Sequence, residues 1–391
     1  MNTYLTEQDW IDIYIVIHEL VYEQLIDNIV YINNPTLFEN IIEYVLNIIV
    51  ETIGDIYDDD DINKLLLEIR ELTSQIISLE VKIITNIPDV HNTEFNIIDI
   101  KHKLNIINNT KQYPQKSLEW HTQRYNLLSA SSIWKIFGSV AQRNSLIYDK
   151  CKPLNIDLIN KFDNLSSSNP MHWGVKYEPV TVMLYETIYK TTVGEFGCIQ
   201  HPVYSFIGAS PDGINIDANN ERFGRMIEIK NIVNREITNT PKQEYWMQIQ
   251  IQLETCNLDL CDFVETRFKE YSETDFYQDN NHDYKGIILK FIDENNKYQY
   301  VYKPIYVNDH ESWINEQIQK HNNLILENKY YWYLDEFSCI IVPRNKLWFN
   351  HAIPLIKETW DDIIKERITG YEHRSPKKRN KSCLIDVKKL T

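Results

Sequence analysis

The run Gly208-Ala209-Ser210-Pro211-Asp212-Gly213, followed sixteen residues after Asp212 by Glu228-Ile229-Lys230, decides how this chain is read. Proline suits the second position of a turn and glycine the fourth, which leaves Asp212 near the apex. The flanking Val203-Tyr204-Ser205-Phe206-Ile207 and Ile214-Asn215-Ile216 are expected as strand ends, and residues 225–230 as a further strand. Side chains two apart on a strand share a face, so Glu228 and Lys230 should point together while Ile227 and Ile229 enter a core. Taken singly, the first stretch is a plain turn and the second a charge pair on a solvated face.

Taken in order, they are an acid, a spacer and acid-x-Lys, a pattern that suits a metal-dependent nuclease. Mg²⁺ takes hard oxygen ligands and keeps several waters, so two carboxylates and one backbone carbonyl suffice. The bound ion polarises a phosphoryl oxygen and makes its water a nucleophile at neutral pH, and an ammonium nearby offsets charge in the transition state. Upstream, His172-Trp173-Gly174-Val175-Lys176-Tyr177-Glu178 leads into a helical pattern, with Val180, Met183 and Leu184 at a 3.6-residue period. Gly174 and Glu178 then share a face, the small residue permitting close backbone approach and the acid reaching a second metal. Downstream, Glu244-Tyr245-Trp246-Met247-Gln248-Ile249-Gln250-Ile251-Gln252-Leu253-Glu254 alternates like a strand. As a helix it places Ile249, Leu253 and Cys256 on one stripe and Gln248 and Gln252 on another face. The helix is the reading adopted.

These stretches, with Trp120-His121-Thr122-Gln123-Arg124-Tyr125-Asn126-Leu127-Leu128-Ser129-Ala130-Ser131 ahead of them, together resemble the YqaJ-type viral recombinase nucleases. Those are relatives of the phage lambda exonuclease within the PD-(D/E)XK superfamily. The resemblance covers about residues 117 to 270 and weakens to about 340. It implies a restriction-endonuclease-like mixed central sheet flanked by helices. It also implies Asp212, Glu228 and the Ile229 carbonyl as ligands of one Mg²⁺ and Glu178 as ligand of a second, with Mn²⁺ able to substitute. Lys230 would hold or deprotonate the attacking water, and burial that lowered its pKa would help. Gln250, rather than Gln248, would sit at the edge of the metal site. Arg124, Ser131 and Ser210 would receive a terminal 5′-phosphate, an Arg fork and two hydroxyls matching the dianion. Tyr125-Asn126 stands where the family often has glycine after the arginine. The family implies a 5′-to-3′ exonuclease on duplex DNA ends, a ring-shaped homotrimer, and often a single-strand annealing protein as partner. The rival readings are a restriction-like endonuclease and a non-catalytic DNA-binding scaffold on a nuclease fold.

Charge fits a nucleic-acid enzyme once it is divided. The chain has 391 residues and a formal charge of -16, but residues 1–112 hold 20 acids against 6 Lys and Arg. The remainder holds 36 acids against 34 bases, so a local positive groove is possible there. The organisation expected is an acidic helical domain at 1–112, a nuclease domain at 113–340, and a C-terminal helix and basic tail at 341–391. In the first, Tyr14-Ile15-Val16-Ile17, Leu37 to Ile49 and Leu65 to Ile77 read as amphipathic helices around Asp58-Asp59-Asp60-Asp61, an expected solvated loop. Residues 108–116 read as a linker. Ile287-Ile288-Leu289-Lys290-Phe291 and Tyr298-Gln299-Tyr300-Val301-Tyr302 read as edge strands, Trp313-Ile314-Asn315 with Leu324-Ile325 as a helix, and Trp348 to Ile364 as a last helix. Tyr330-Tyr331-Trp332-Tyr333-Leu334 either packs a core or stacks on unwound bases. The tail from Arg374 to Lys381 reads as a phosphate contact, a nuclear address or a plain tail.

No stretch is long and apolar enough to span a membrane, and the N-terminus lacks a basic-then-apolar signal pattern. Six dispersed cysteines, with no Cys-x2-Cys, argue against zinc and against an iron–sulfur nuclease. A reduced intracellular protein, cytoplasmic or nuclear, is the simplest expectation. The Ile, Asn and Tyr bias suits the AT-rich genome of a large DNA virus.

Overall fold

The structure, a computed structural model, describes residues 6–32, 34–53, 59–86, 96–115, 117–154, 170–294 and 297–376. The N-terminal region is helical: α1 (Glu7–Asp27), α2 (Pro35–Ile53), α3 (Asp59–Asn86) and α4 (Ile97–Asn109). Helix α1 opens on a capping box, the Thr6 hydroxyl accepting from the Asp9 N–H while the Asp9 carboxylate accepts from the Thr6 N–H at 2.7 Å. Only one side of the Tyr14-Ile15-Val16-Ile17 run enters the core, since Ile17 is buried and the other three are exposed. Asp59 to Asp61 begin α3 rather than lying in a loop; Asp58 lies outside the described residues.

Next come α5 (Leu118–Tyr125), β1 (Leu128–Ser129), α6 (Ala130–Ile133), α7 (Val140–Cys151) and α8 (Pro170–Tyr189). The strands β2 (Val193–Gly194), β3 (Ile199–Gln200), β4 (Ile207–Ala209), β5 (Gly213–Asn215) and β6 (Met226–Asn231) precede α9 (Gln243–Cys256). The chain continues through β7 (Leu260–Tyr271), α10 (Glu273–Gln278), β8 (Lys285–Ile292), β9 (Tyr298–Tyr302), α11 (His310–Lys320), β10 (Ile325–Pro343) and α12 (Lys346–Thr369). Residues 203–206 are not strand, so the strand before Asp212 is shorter and later than expected. Of the linker expected at 108–116, Asn108 and Asn109 end α4, residues 110–115 carry no helix or strand, and residue 116 lies outside the described residues. Leu324-Ile325 does not extend α11; Ile325 begins β10.

The sheet of seven strands runs β2-β5-β6-β7-β10-β8-β9, and a small sheet runs β1-β4-β3. Within the large sheet β6 and β7 are parallel and the other pairs antiparallel. Strand β10 carries β7 on one side and β8 on the other, with register shifts between Leu334 and Glu336 and between Leu326 and Asn328. Gly286 is required beside it, because a Cβ there would lie 2.6 Å from the Trp332 ring. This is a mixed central sheet flanked by helices with an added helical N-terminal region, the architecture expected.

Helix α9 resolves the ambiguity of its alternating sequence. Ile249, Leu253 and Cys256 are buried together, and Asn257 closes the helix in the left-handed region (φ 51°), with the Leu258 N–H donating to the Leu253 carbonyl. One apolar cluster runs from Ile17 through Met247 and Phe263 to Trp348 and Ile363, so the helical N-terminal region and α12 share a core with the sheet. Full burial of each such side chain contributes roughly 1.5–3 kcal/mol. The Asn345 amide adds a polar tie, donating to the Ile84 carbonyl at 2.8 Å.

Candidate active site

The turn at Ser210-Pro211-Asp212 passes the chain from β4 in the small sheet to β5 in the large one. Strand β5 pairs with β6 only as far as Gly213–Ile227, so β6 beyond Ile227 has a free edge on that side. Asp212 fills it, its Oδ2 accepting the Ile229 N–H at 2.7 Å. In antiparallel pairing a residue directs its N–H and C=O to the same side, so the Ile229 carbonyl shares this edge with Asp212. Ile227 and Ile229 pack with Tyr185 and Val264 on one face of β6, while Glu228 and Lys230 face α9. The two-residue period of the strand thus separates core from site as the sequence implied.

Glu228 is 1% exposed yet densely bonded. Lys230 Nζ donates to its Oε1, which also accepts Gln248 Nε2 at 2.8 Å, and Gln252 Nε2 donates to its Oε2 at 2.7 Å. Gln252 also reaches the Ser210 carbonyl at 3.3 Å, tying the turn to the acid. Gln250, expected at the metal site, points elsewhere. It donates to the Pro343 carbonyl at 3.0 Å and accepts the Asn345 N–H at 2.6 Å. The reason is helical geometry: residues four apart share a face and residues two apart do not. Gln248 and Gln252 therefore line Glu228, and Gln250 secures the junction of β10 and α12. Gln252 was the residue missed, although its spacing from Gln248 was visible. Gln250→Ala should cost about 1–3 kcal/mol in denaturant unfolding by leaving buried groups unpaired. Gln252→Ala should instead lower any nuclease activity about 10-fold or more by freeing Glu228.

The charges bear on one another. Burial, then the Glu228 and Glu178 carboxylates, hold the Asp212 carboxyl well above its ordinary range. Glu178, on α8, is pushed up by desolvation and then by Glu228; the residue as a whole is exposed, so its shift is the smaller. Burial works to lower Lys230, but Glu228 and Asp212 outweigh it and raise the ammonium above its usual value. The lowered pKa that would make Lys230 a base is therefore not what the site produces; it is held as a cation. Gly174 also departs from expectation, since a Cβ there meets nothing within 4 Å and packing does not call for glycine. Its carbonyl accepts from the Asn231 amide at 3.1 Å. Among the described residues no three His, Cys, Asp or Glu side chains converge into a ready metal cage. Glu228 and Asp212 are engaged by protein donors instead.

Because the folded carboxyl of Glu178 is raised, its protonated form is the one folding favours. Its contribution to stability is full below the ordinary carboxylate value and is lost as pH rises through the raised one. Glu178→Gln should therefore raise the thermal midpoint of the metal-free protein at neutral pH by about a degree or two, and the gain should vanish in acid. Differential scanning fluorimetry in EDTA at two pH values checks both.

Of the second group of expected residues, Arg124 and Ser210 meet at Cys198. Strand β1 pairs in parallel with β4, Leu128 against Ile207 and Ser129 against Gly208. Beyond that pairing the two chains part, Ser131 entering α6 with its hydroxyl 3.4 Å from that of Ser129 and Ser210 entering the turn before Asp212. Gly208 allows the approach, because a Cβ there would come 2.7 Å from a Leu127 methyl. Arg124 lies in the last turn of α5, its guanidinium 4.7 Å over the Trp120 ring. The Cys198 thiol, pushed up by burial, is partly brought back by Arg124 and Ser210, which places it between them. Ser210 Oγ is buried with the weakly bonding Cys198 thiol beside it, the kind of group a ligand oxygen satisfies. The turn after α5 is clamped by Lys150 Nζ, which donates to the Arg124 and Leu127 carbonyls at 2.6 and 2.7 Å. Arg367 of α12 donates to the Tyr125 carbonyl at 2.7 Å. Burial, then Arg124 and Arg367, push Lys150 down to about 7. Sequence reading missed Lys150 and Arg367, which act on backbone and carry no motif.

Residues 119–259 match the sequence model of the YqaJ-like viral recombinase domain. An uncharacterized protein of Acanthamoeba polyphaga mimivirus is 31% identical over 307 residues, which cover 67% of this chain and 54% of the relative. The chain thus spans about half the length of the curated relative it matches. Among solved structures, an alkaline exonuclease from Laribacter hongkongensis, also crystallised with dAMP, is 18% identical with a TM-score of 0.38, covering 64% of this chain and 94% of its own. A phage-related exonuclease from Haemophilus somnus 129PT is 14% identical with a TM-score of 0.31, covering 61% and 96%. Among the described residues no helix is long and apolar enough to cross a membrane, and the cysteines described are free thiols.

Proposed function

We propose that the chain is a Mg²⁺-dependent DNA exonuclease that degrades duplex ends 5′-to-3′ and feeds recombination or DNA-end processing. The observation that carries this reading is the meeting of Asp212, Glu228 and Lys230 at the free edge of β6, within a YqaJ-like domain. The donor set suits a hard divalent cation: carboxylate oxygens whose mutual repulsion is offset by one ammonium. Asp212, Glu228 and the Ile229 carbonyl would hold one ion, and Glu178 a second; Mn²⁺ would serve in place of Mg²⁺. When bound, the metal polarises the phosphodiester and acidifies a water.

The chain's own groups do the rest. Lys230, kept as an ammonium, orients the attacking water and offsets charge on the phosphoryl oxygens. Gln248 and Gln252 keep Glu228 in place. Arg124, Ser131 and Ser210 take the 5′-phosphate of the end, with the buried Ser210 Oγ supplying a donor engaged by no more than the Cys198 thiol. Each cut releases a mononucleotide with a 5′-phosphate and a 3′-hydroxyl and leaves the shortened strand with a new 5′-phosphate. A trimer threaded by one strand and a single-strand annealing partner complete the proposal.

End dependence is tested by incubating linear duplex and covalently closed circles with Mg²⁺. Linear DNA should be consumed and circles left intact. Nicked circles would move the assignment to an endonuclease, and cleavage of neither would favour a scaffold.

A further inference from the structure

The edge strand β9 reads Tyr298-Gln299-Tyr300-Val301-Tyr302. Proteins usually blunt an edge strand with charge or proline, or cover it; this one has neither charge nor proline within it. Alternation sends Val301 to one face, against the cluster of Phe276, Ile287 and Phe291. The three tyrosines take the other face, where Tyr300 and Tyr302 lie at the margin of the cluster of Tyr177, Phe268 and Trp332. All three are half-buried. Their ring centroids are 5.4 Å apart from Tyr298 to Tyr300 and 6.3 Å from Tyr300 to Tyr302, with planes inclined by 52° and 51°. The rings are therefore a row and not a stack, and their faces are not spent on one another.

The row is fixed and continuous with the candidate active site. His172 on α8 hydrogen-bonds the Tyr300 hydroxyl and stands 3.4 Å from that of Tyr298. Tyr330 of β10 adds a ring 6.3 Å from Tyr300, with the Lys176 ammonium 4.1 Å over it. The Lys290 ammonium lies 5.6 Å from the Tyr298 centroid. Both lysines also pair with acids, Glu270 and Glu327. At the inner end, Tyr302 packs in the same cluster as Tyr177, the residue preceding Glu178 on α8.

We propose that Tyr298, Tyr300, Tyr302 and Tyr330 form a stacking platform for the unpaired strand of a DNA substrate, leading to or from the carboxylate centre; this rests on the nuclease reading of that centre. Ring spacing decides for an unpaired strand. It is about 1.6 to 1.9 times the roughly 3.4 Å rise per base of one strand of a duplex, so it suits a strand drawn out of its stack, whose bases no longer cover one another. Stacking on aromatic rings is tolerant of sequence, as an end-processing enzyme requires, and flanking cations follow the backbone. Of the aromatic run at 330–334, only Tyr330 joins; Tyr331 and Trp332 are buried.

Anisotropy of a labelled oligothymidylate in EDTA reads this binding without turnover. Tyr298→Ala should weaken single-strand binding about 5- to 100-fold, Tyr298→Phe should retain most of it, and Gln299→Ala on the other face should leave it unchanged. Blunt duplex binding and circular dichroism, unchanged in all three, would show the fold intact. Unchanged oligothymidylate affinity in Tyr298→Ala overturns the proposal, and the edge would then be a candidate for docking protein. Tyrosine-dependent strand binding by a wild-type protein that cleaves nothing would overturn the nuclease reading while upholding this one.

Discussion

Replacing Glu228 by glutamine is expected to lower Mg²⁺-dependent DNA digestion by about 10³-fold or more while the protein stays folded. The chemistry asked of Glu228 is charge: it holds the cation that polarises the phosphodiester, and an amide of nearly the same shape does that poorly. A loss of 10³ corresponds to about 4 kcal/mol of transition-state stabilisation. Glutamine is preferred to alanine because Glu228 is buried and accepts from Lys230, Gln248 and Gln252. Removing the side chain would leave those donors unpaired at a cost of about 3–5 kcal/mol, and loss of activity would then be confounded with unfolding. The check is turnover per folded molecule, with circular dichroism of the same preparation.

Lys230→Met should lower turnover about 10²- to 10³-fold, the range seen when one donor aimed at developing charge is removed. The pH dependence separates its two conceivable roles. Glu228 and Asp212 hold the ammonium above its ordinary value against the pull of burial. Its charged form is then present through neutral pH and is lost only as pH climbs past the raised value. A lysine acting as the base would give activity rising with pH through its titration; a lysine acting as a cation gives no such rise, and Lys230→Arg retains part of the activity. Initial rates across neutral and alkaline pH for the wild-type and both variants decide between them.

Much of this site was legible because its geometry follows from short periods. Glu228 and Lys230 lie two apart on a strand, so one face of β6 could be assigned before any fold was known. The glutamines were harder, because Gln248-x-Gln250-x-Gln252 fits a strand and a helix equally well by alternation. The helical period already put Gln248 and Gln252 on one face; the family resemblance put Gln250 at the edge of the metal site, where Gln248 and Gln252 stand instead. Strand β10 was illegible for a different reason. Its two register shifts break the alternation across 19 residues, and its mixed aromatic and acidic sequence resembles neither a buried nor a half-buried strand. Lys150 and Arg367 left no trace, since they bond backbone carbonyls, for which no side-chain pattern is needed. The basic stretch past Pro376 lies outside the described residues.

The central claim is that Asp212, Glu228 and Lys230 cut phosphodiester bonds with a divalent cation. The most direct measurement is mononucleotide release from 5′-phosphorylated linear duplex by the full chain, with Mg²⁺ and with EDTA, beside Glu228→Gln. The prediction is 5′-mononucleotides from the wild-type protein in Mg²⁺ alone, and a loss of about 10³-fold in the variant. Undiminished release by folded Glu228→Gln, or release by the wild-type protein in EDTA, would contradict it.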